Sequence, residues 1–203
     1  MPSAVERAKL ARVALALNAG SGLPSLILMT DERRLRDPVA AARVLPKGAA
    51  IILRHTQPEA RAVLAEALRR IADERGLLLL IAGDAALAAR IGADGLHLPE
   101  TRASEAKHWK AAHASWLITA AAHSEYALGC AARAGADAAL LAPAFPTLSH
   151  RDRTPLGVAR LRLMAARAVL PVYALGGVTA QTAQRLAGAR LAGIAAIDGL
   201  QSS

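Results

Sequence analysis

The sequence predicts an α/β chain folded as a (β/α)8 TIM barrel, and three observations predict it. Short, wholly apolar runs alternate with helical patterns along the chain. Apolar residues make up 54% of the 203 positions, enough for strands covered on both faces. The first run leads into Met29-Thr30-Asp31-Glu32-Arg33. That is not the glycine-rich turn of an open dinucleotide-binding sheet, the competing architecture.

The elements follow in order. Residues 1–22 read as a helical extension: Val5, Leu10, Val13, Ala14 and Leu17 suit one amphipathic face, and Glu6 and Arg12 argue against a signal peptide. Strands are expected at Leu26–Thr30, Ala50–Arg54, Leu77–Ile81, Gly95–Leu98, Trp116–Ala120, Ala138–Leu141, Val172–Ala174 and Gly193–Ile197. Helices are expected at Val39–Val44, Pro58–Arg75, Asp84–Ile91, Ala103–Ala112, Ser124–Ala134, Val158–Ala168 and Thr179–Ala187. Pro58 suits a first helical turn, and Ser124 and Thr179 suit N-caps. Gly92-Ala93-Asp94-Gly95 and Gly135-Ala136-Asp137-Ala138 repeat one form, a glycine that ends a helix before a strand. No linker or low-complexity tract interrupts the pattern, so residues 1–203 are expected to form one domain.

Composition excludes several classes. No apolar run is long enough for a membrane span. The net charge of +9 comes from arginine, with lysine only at positions 9, 47, 107 and 110. The arginines are spread along the chain and aromatic residues are 2%, so a nucleic-acid surface built on stacking is not expected. Small phosphorylated substrates explain basic residues that gather at one site. The lone Cys130 reads as a packed core thiol, and the chain as cytosolic (cytoplasmic).

In such a barrel, ligands meet the loops that follow the strands. The most informative loops are Ala142-Pro143-Ala144-Phe145-Pro146-Thr147 and the turn closing Leu170 through Val178. Gly176 and Gly177 let backbone N–H groups approach an anion, and a helix starting at Thr179 would add its dipole. The same pair also fits an ordinary strand-to-helix turn.

Taken as an ordered set, Gly92–Leu98, Gly135–Asp137, Pro143–Thr147, Pro155-Leu156-Gly157 and Pro171–Gly177 resemble the thiamine phosphate synthase and TenI-like family of (β/α)8 barrels. The match runs from Leu26 almost to the end. The resemblance implies joining hydroxymethylpyrimidine diphosphate to hydroxyethylthiazole phosphate, with release of pyrophosphate; a catalytically impaired member that binds a phosphorylated ligand in a regulatory role, and a different enzyme acting on a small phosphorylated substrate, are the alternatives. It also implies Mg²⁺ as the cofactor that helps stabilise the leaving anion.

Mapped on that family, the catalytic candidates are Arg54, His97, Thr147, His150 and Arg151, and the phosphate-binding candidates are Gly176, Gly177, Val178, Ile197, Asp198 and Arg102. Arg54 keeps the arginine of a Gln-x-Arg-x-Lys pattern whose other members fall on Ile52 and Thr56. Either diphosphate binding or a structural ion pair suits it, as either a site or a core position suits His97. His123 reads as a loop residue just before the helix cap. The family's magnesium carboxylates fall on Gly83 and Arg102, leaving Asp84 as the remaining metal candidate, although it equally suits a helix N-cap. His150 stands where the family has lysine, and Asp198 where it has serine beside the thiazole phosphate. A charge there would repel a phosphate unless paired.

Overall fold

A computed structural model describes residues 2–18, 20–147 and 154–201. Eight parallel strands, β1 (Leu26–Met29), β2 (Ala50–Leu53), β3 (Leu78–Ala82), β4 (Gly95–Leu98), β5 (Leu117–Ala122), β6 (Ala138–Leu141), β7 (Val172–Leu175) and β8 (Gly193–Ala196), pair in sequence order. Strand β8 returns to β1, with Leu26 opposite Ile194, so the sheet is a closed barrel and not the open alternative. Most strands are buried throughout, which is why their sequences are unbroken apolar runs instead of alternating ones.

Helices α1 (Ala4–Leu17), α2 (Pro38–Arg43), α3 (Pro58–Arg75), α4 (Ala85–Arg90), α5 (Ala106–Ala112), α6 (Glu125–Arg133), α7 (Gly157–Arg167) and α8 (Ala180–Gln184) surround it. Local chemistry sets their starts. Ser3 forms a capping box with Glu6; Asp37, Asp84, Ser124 and Thr179 each accept an N–H of the first turn. Pro38 and Pro58 occupy first-turn positions where no N–H is needed. No helix among the described residues is long and apolar enough to cross a membrane.

Two helix expectations change. The helix expected over 103–112 begins as a 3-10 turn, Glu100–Glu105, before α5 takes over. Arg102 and Glu105, three residues apart, pair side by side in that tighter winding. The helix expected over 179–187 stops at Gln184, after which bonds of the i→i+3 type carry the chain to Ala189. Cys130 is half-buried at the edge of α6 beside Arg133 and not in the core.

The repeated Gly-Ala-Asp turns fasten the N-terminal end of the barrel. Asp94 accepts the N–H of Leu79 on β3 at 2.7 Å and Arg69 at 2.7 Å through the same carboxylate oxygen. Asp137 does the same for Ile118 on β5, at 2.7 Å, with Lys110 at 2.8 Å. Each aspartate thereby joins its own strand start to the preceding strand. At Gly95 and Gly193 backbones approach so closely that an added Cβ would lie 2.1 Å from Leu117 O and 2.0 Å from Ser25 O. Inside this end, Tyr173 runs down the barrel and donates to Pro24 O at 2.6 Å.

Candidate functional site

Register aligns residues near the strand ends across neighbours. Met29 lies opposite Ile52, Ala82 opposite His97, His97 opposite Thr119, and Ala121 opposite Leu140. Above them opens a cavity of about 330 Å³ at the C-terminal ends of the strands. Its walls are mainly apolar, from Met29, Ala82, Ala121, Leu140, Leu175 and Ile197. Arg34, Arg54, His97, Glu100, His123 and Thr147 supply its polar groups.

His97 is the deep polar residue. It is 5% exposed, and its Nδ1 lies 2.9 Å from Thr119 Oγ1. Burial, reinforced by the positive charge of Arg54, pulls its pKa down to about 4, so the ring is neutral at neutral pH. Higher up, Thr30 Oγ1 accepts the N–H of Arg54 at 3.0 Å and meets His55 Nδ1 at 2.9 Å. Burial also lowers the pKa of His55.

Around the rim, acids and bases are paired with each other. Arg54 pairs with Asp31, and Arg34 holds Asp198 through Nε and Nη2, the former at 3.1 Å from Oδ1. His123 Nδ1 lies 2.7 Å from Glu100 Oε2. Arg102 donates from Nε and Nη2 to Glu105 at 2.6 and 2.8 Å, and from Nη1 to Gly83 O at 2.9 Å. Those bonds, with Trp109 donating at 3.0 Å, hold the Glu105 carboxyl down to about 2.

The turn after β7 is built for close backbone approach. Gly176 and Gly177 have φ of 93° and 65°, and a Cβ on Gly177 would lie 2.4 Å from Pro146 O. The N–H groups of Gly176, Gly177 and Val178 have no hydrogen-bond partner among the described residues. They border a small recess of about 40 Å³, completed by Arg34, Ile197 and Asp198 and continuous in its lining with the main cavity through Arg34, Gly176 and Ile197.

Of the residues singled out from sequence, Arg54, His97, Thr147, Gly176 and Ile197 share the main cavity, and Gly177, Val178 and Asp198 share the recess. His150 and Arg151 lie outside the described residues. Three positions have particular surroundings. Arg102 does not line either space, because Glu105 and Gly83 O hold its guanidinium. Asp198 does not present an uncompensated charge, because Arg34 pairs with it. The helix expected to lend a dipole to the glycine turn is five residues long, and Thr179 and Thr182 cap its first N–H groups mutually. Arg34, Glu100 and Thr119 were missed, since their partners lie far away in sequence and no local motif marks them.

The donor set does not fit a divalent cation at the position the resemblance implies. Asp84 Oδ1 caps α4 by accepting Leu87 N at 2.9 Å, and Arg61 approaches Oδ2 at 3.9 Å. Gly83 has no side chain, and its carbonyl accepts from Arg102. Among the described residues no three His, Cys, Asp or Glu side chains converge as metal ligands.

The family model for thiamine monophosphate synthase matches residues 26–200. A thiamine-phosphate synthase of Methanoculleus marisnigri is 34% identical over 179 residues, covering 85% of this chain and 85% of that protein. One of Lactococcus lactis subsp. cremoris is 30% identical over 145 residues, 70% of this chain and 66% of that protein. A solved thiamine phosphate pyrophosphorylase from Pyrococcus furiosus superposes with a TM-score of 0.70 at 24% identity, covering 94% of this chain and 87% of its own, and shows the shared fold. The chain belongs to the thiamine monophosphate synthase family.

Proposed function

We propose that this family member seats a phosphorylated heterocycle of the thiamine type at the barrel mouth, its ring in the apolar cavity and its single phosphate at the glycine turn. One observation carries the reading: three backbone N–H groups at Gly176–Val178, without a partner among the described residues, border a recess that Arg34 also lines. Backbone donors and a fork-shaped guanidinium together match phosphate oxygens. The mainly apolar cavity beside them suits a flat ring.

Support for departure of a diphosphate is weaker. Arg54 is held by Asp31, Arg102 by Glu105, and the metal carboxylates are missing, so neither of the two arginines mapped from the family is uncommitted for a second phosphate. The reading is therefore a phosphate-ligand binder with slow or no synthase turnover. The second reading is a working synthase whose arginines exchange their carboxylate partners for diphosphate oxygens. Arg54 favours it, since it lines the cavity and remains 40% exposed.

Pyrophosphate release with both thiamine precursors, in magnesium and in chelator, separates the two. Calorimetry with hydroxyethylthiazole phosphate and with thiamine phosphate runs alongside. Binding of either phosphate with little pyrophosphate release is expected. Rapid, magnesium-dependent release would overturn the binder reading, and absence of phosphate-ligand binding would overturn the seat itself.

A further inference from the structure

Thr30, His97 and Thr119 are the buried polar side chains among the described residues. Thr30 is accounted for by Arg54 N and His55. Among the described residues the other two meet only each other, Thr119 Oγ1 to His97 Nδ1 at 2.9 Å, at the floor of the mainly apolar cavity. Thr119 is fully buried, and its hydroxyl has one donor to place. His97 Nδ1 is the acceptor within reach. A buried donor left unused costs more than a hydroxyl oxygen left with a spare lone pair, which is the commoner case.

The proton therefore runs from Thr119 Oγ1 to Nδ1, and a neutral imidazole then carries its own proton on Nε2. The pKa near 4 supports that neutrality. Nε2 has no partner among the described residues, yet it is not among the enclosed unpaired atoms, Arg61 Nε and Arg69 Nε. It opens into the cavity that His97 lines.

We propose that Thr119 is a positioning residue that fixes His97 as the Nε2–H tautomer, so that the cavity floor offers one hydrogen-bond donor to a ring bearing an acceptor, an unprotonated ring nitrogen or a carbonyl oxygen. The ligand half rests on the cavity reading above; the tautomer half does not. A planar ring against the apolar walls with one acceptor toward the floor satisfies Nε2–H, whereas an all-carbon ring leaves that donor buried and unpaired. The floor thus selects among rings of equal shape by the atom they point downward.

Nitrogen-15 NMR of the histidine side chains in the full chain reads the tautomer, and titration with 2-methylpyrimidine and toluene reads the selection. The ring is expected as Nε2–H, with Nδ1 accepting. Thr119→Val should move the Nδ1 resonance and reduce the preference for 2-methylpyrimidine over toluene by about threefold, and Thr119→Ser should restore both. His97→Phe should reduce that preference by about fivefold or more. An Nδ1–H tautomer in the unliganded protein overturns the Thr119 assignment, and so does a preference unmoved by Thr119→Val. If the tautomer is as expected but neither probe shifts a His97 resonance, the ligand assignment falls and the Thr119–His97 pair stands.

Discussion

At the N-terminal end of the barrel, Asp94 and Asp137 each hold a strand N–H together with a cation, whereas at the mouth Asp31, Asp198, Glu100 and Glu105 hold cationic or basic side chains. A carboxylate at the lower end cannot leave without orphaning a strand N–H between packed elements. At the mouth, a guanidinium can exchange one oxyanion for another while the backbone stays paired. Exposed pairs of this kind are worth about 0–1 kcal/mol, so exchange is cheap. The same residue types therefore serve permanence at one end and replaceability at the other.

The largest expected effect tests whether acid sensitivity belongs to the mouth. His97 has a folded pKa of about 4 against an ordinary 6.5, so the unfolded chain binds its proton first as pH falls. Stability should decline as pH drops below about 6.5 and level off below about 4, by up to about 3 kcal/mol in all. Urea unfolding of the wild type and of His97→Gln at a series of pH values measures the difference. A slope that persists unchanged in His97→Gln would place the acid-sensitive group elsewhere.

The lower end is probed by Asp137→Ala, which leaves the N–H of Ile118 without its acceptor and Lys110 with only Trp116 O. A loss of about 2 kcal/mol is expected from the charged hydrogen bonds, with the affinity of the mouth for phosphate ligands unchanged. Asp137→Asn, which keeps an acceptor, should lose about half as much. If Asp137→Ala weakens ligand binding without lowering the urea midpoint, the two ends are not separable in the way described.

Legibility in the sequence divides along the same line. All eight strands could be placed within two residues because unbroken apolar runs bounded by turn residues encode a doubly covered strand. The Gly-Ala-Asp turns were visible as turns, but not the second job of their aspartates, because Leu79 and Ile118 lie in other strands. Gly176 and Gly177 were legible as adjacent glycines between a strand and an N-cap, and both take positive φ. The rim pairings were not. Arg34 and Asp198 are 164 residues apart, and only barrel closure between β8 and β1 brings their loops together. Helix ends were the weakest inference, since turns of the i→i+3 type carry the same residues as a continuing helix.

The smallest expected effect is also the one that tests replaceability directly. Asp198→Ser removes the carboxylate that Arg34 holds and leaves the guanidinium beside the N–H groups of Gly176–Val178. If Asp198 were unpaired, its charge about 4 Å from a phosphate would oppose binding by roughly 4 kcal/mol at an effective dielectric near 20. Its pairing cancels most of that repulsion. What the ligand must overcome is the ion pair itself, whose side chains are 17% and 46% exposed, and at that exposure the pair contributes about 1 kcal/mol or less. Affinity for hydroxyethylthiazole phosphate should therefore rise about three- to fivefold, and the gain should shrink in high salt as screening weakens the Arg34–phosphate contact. Arg34→Ala in the same background should erase it. A gain near a thousandfold would mean that the carboxylate acts as a bare charge despite its partner. An unchanged affinity in both variants would place the phosphate away from Arg34, and the mouth would then lose its clearest example of an exchangeable pair.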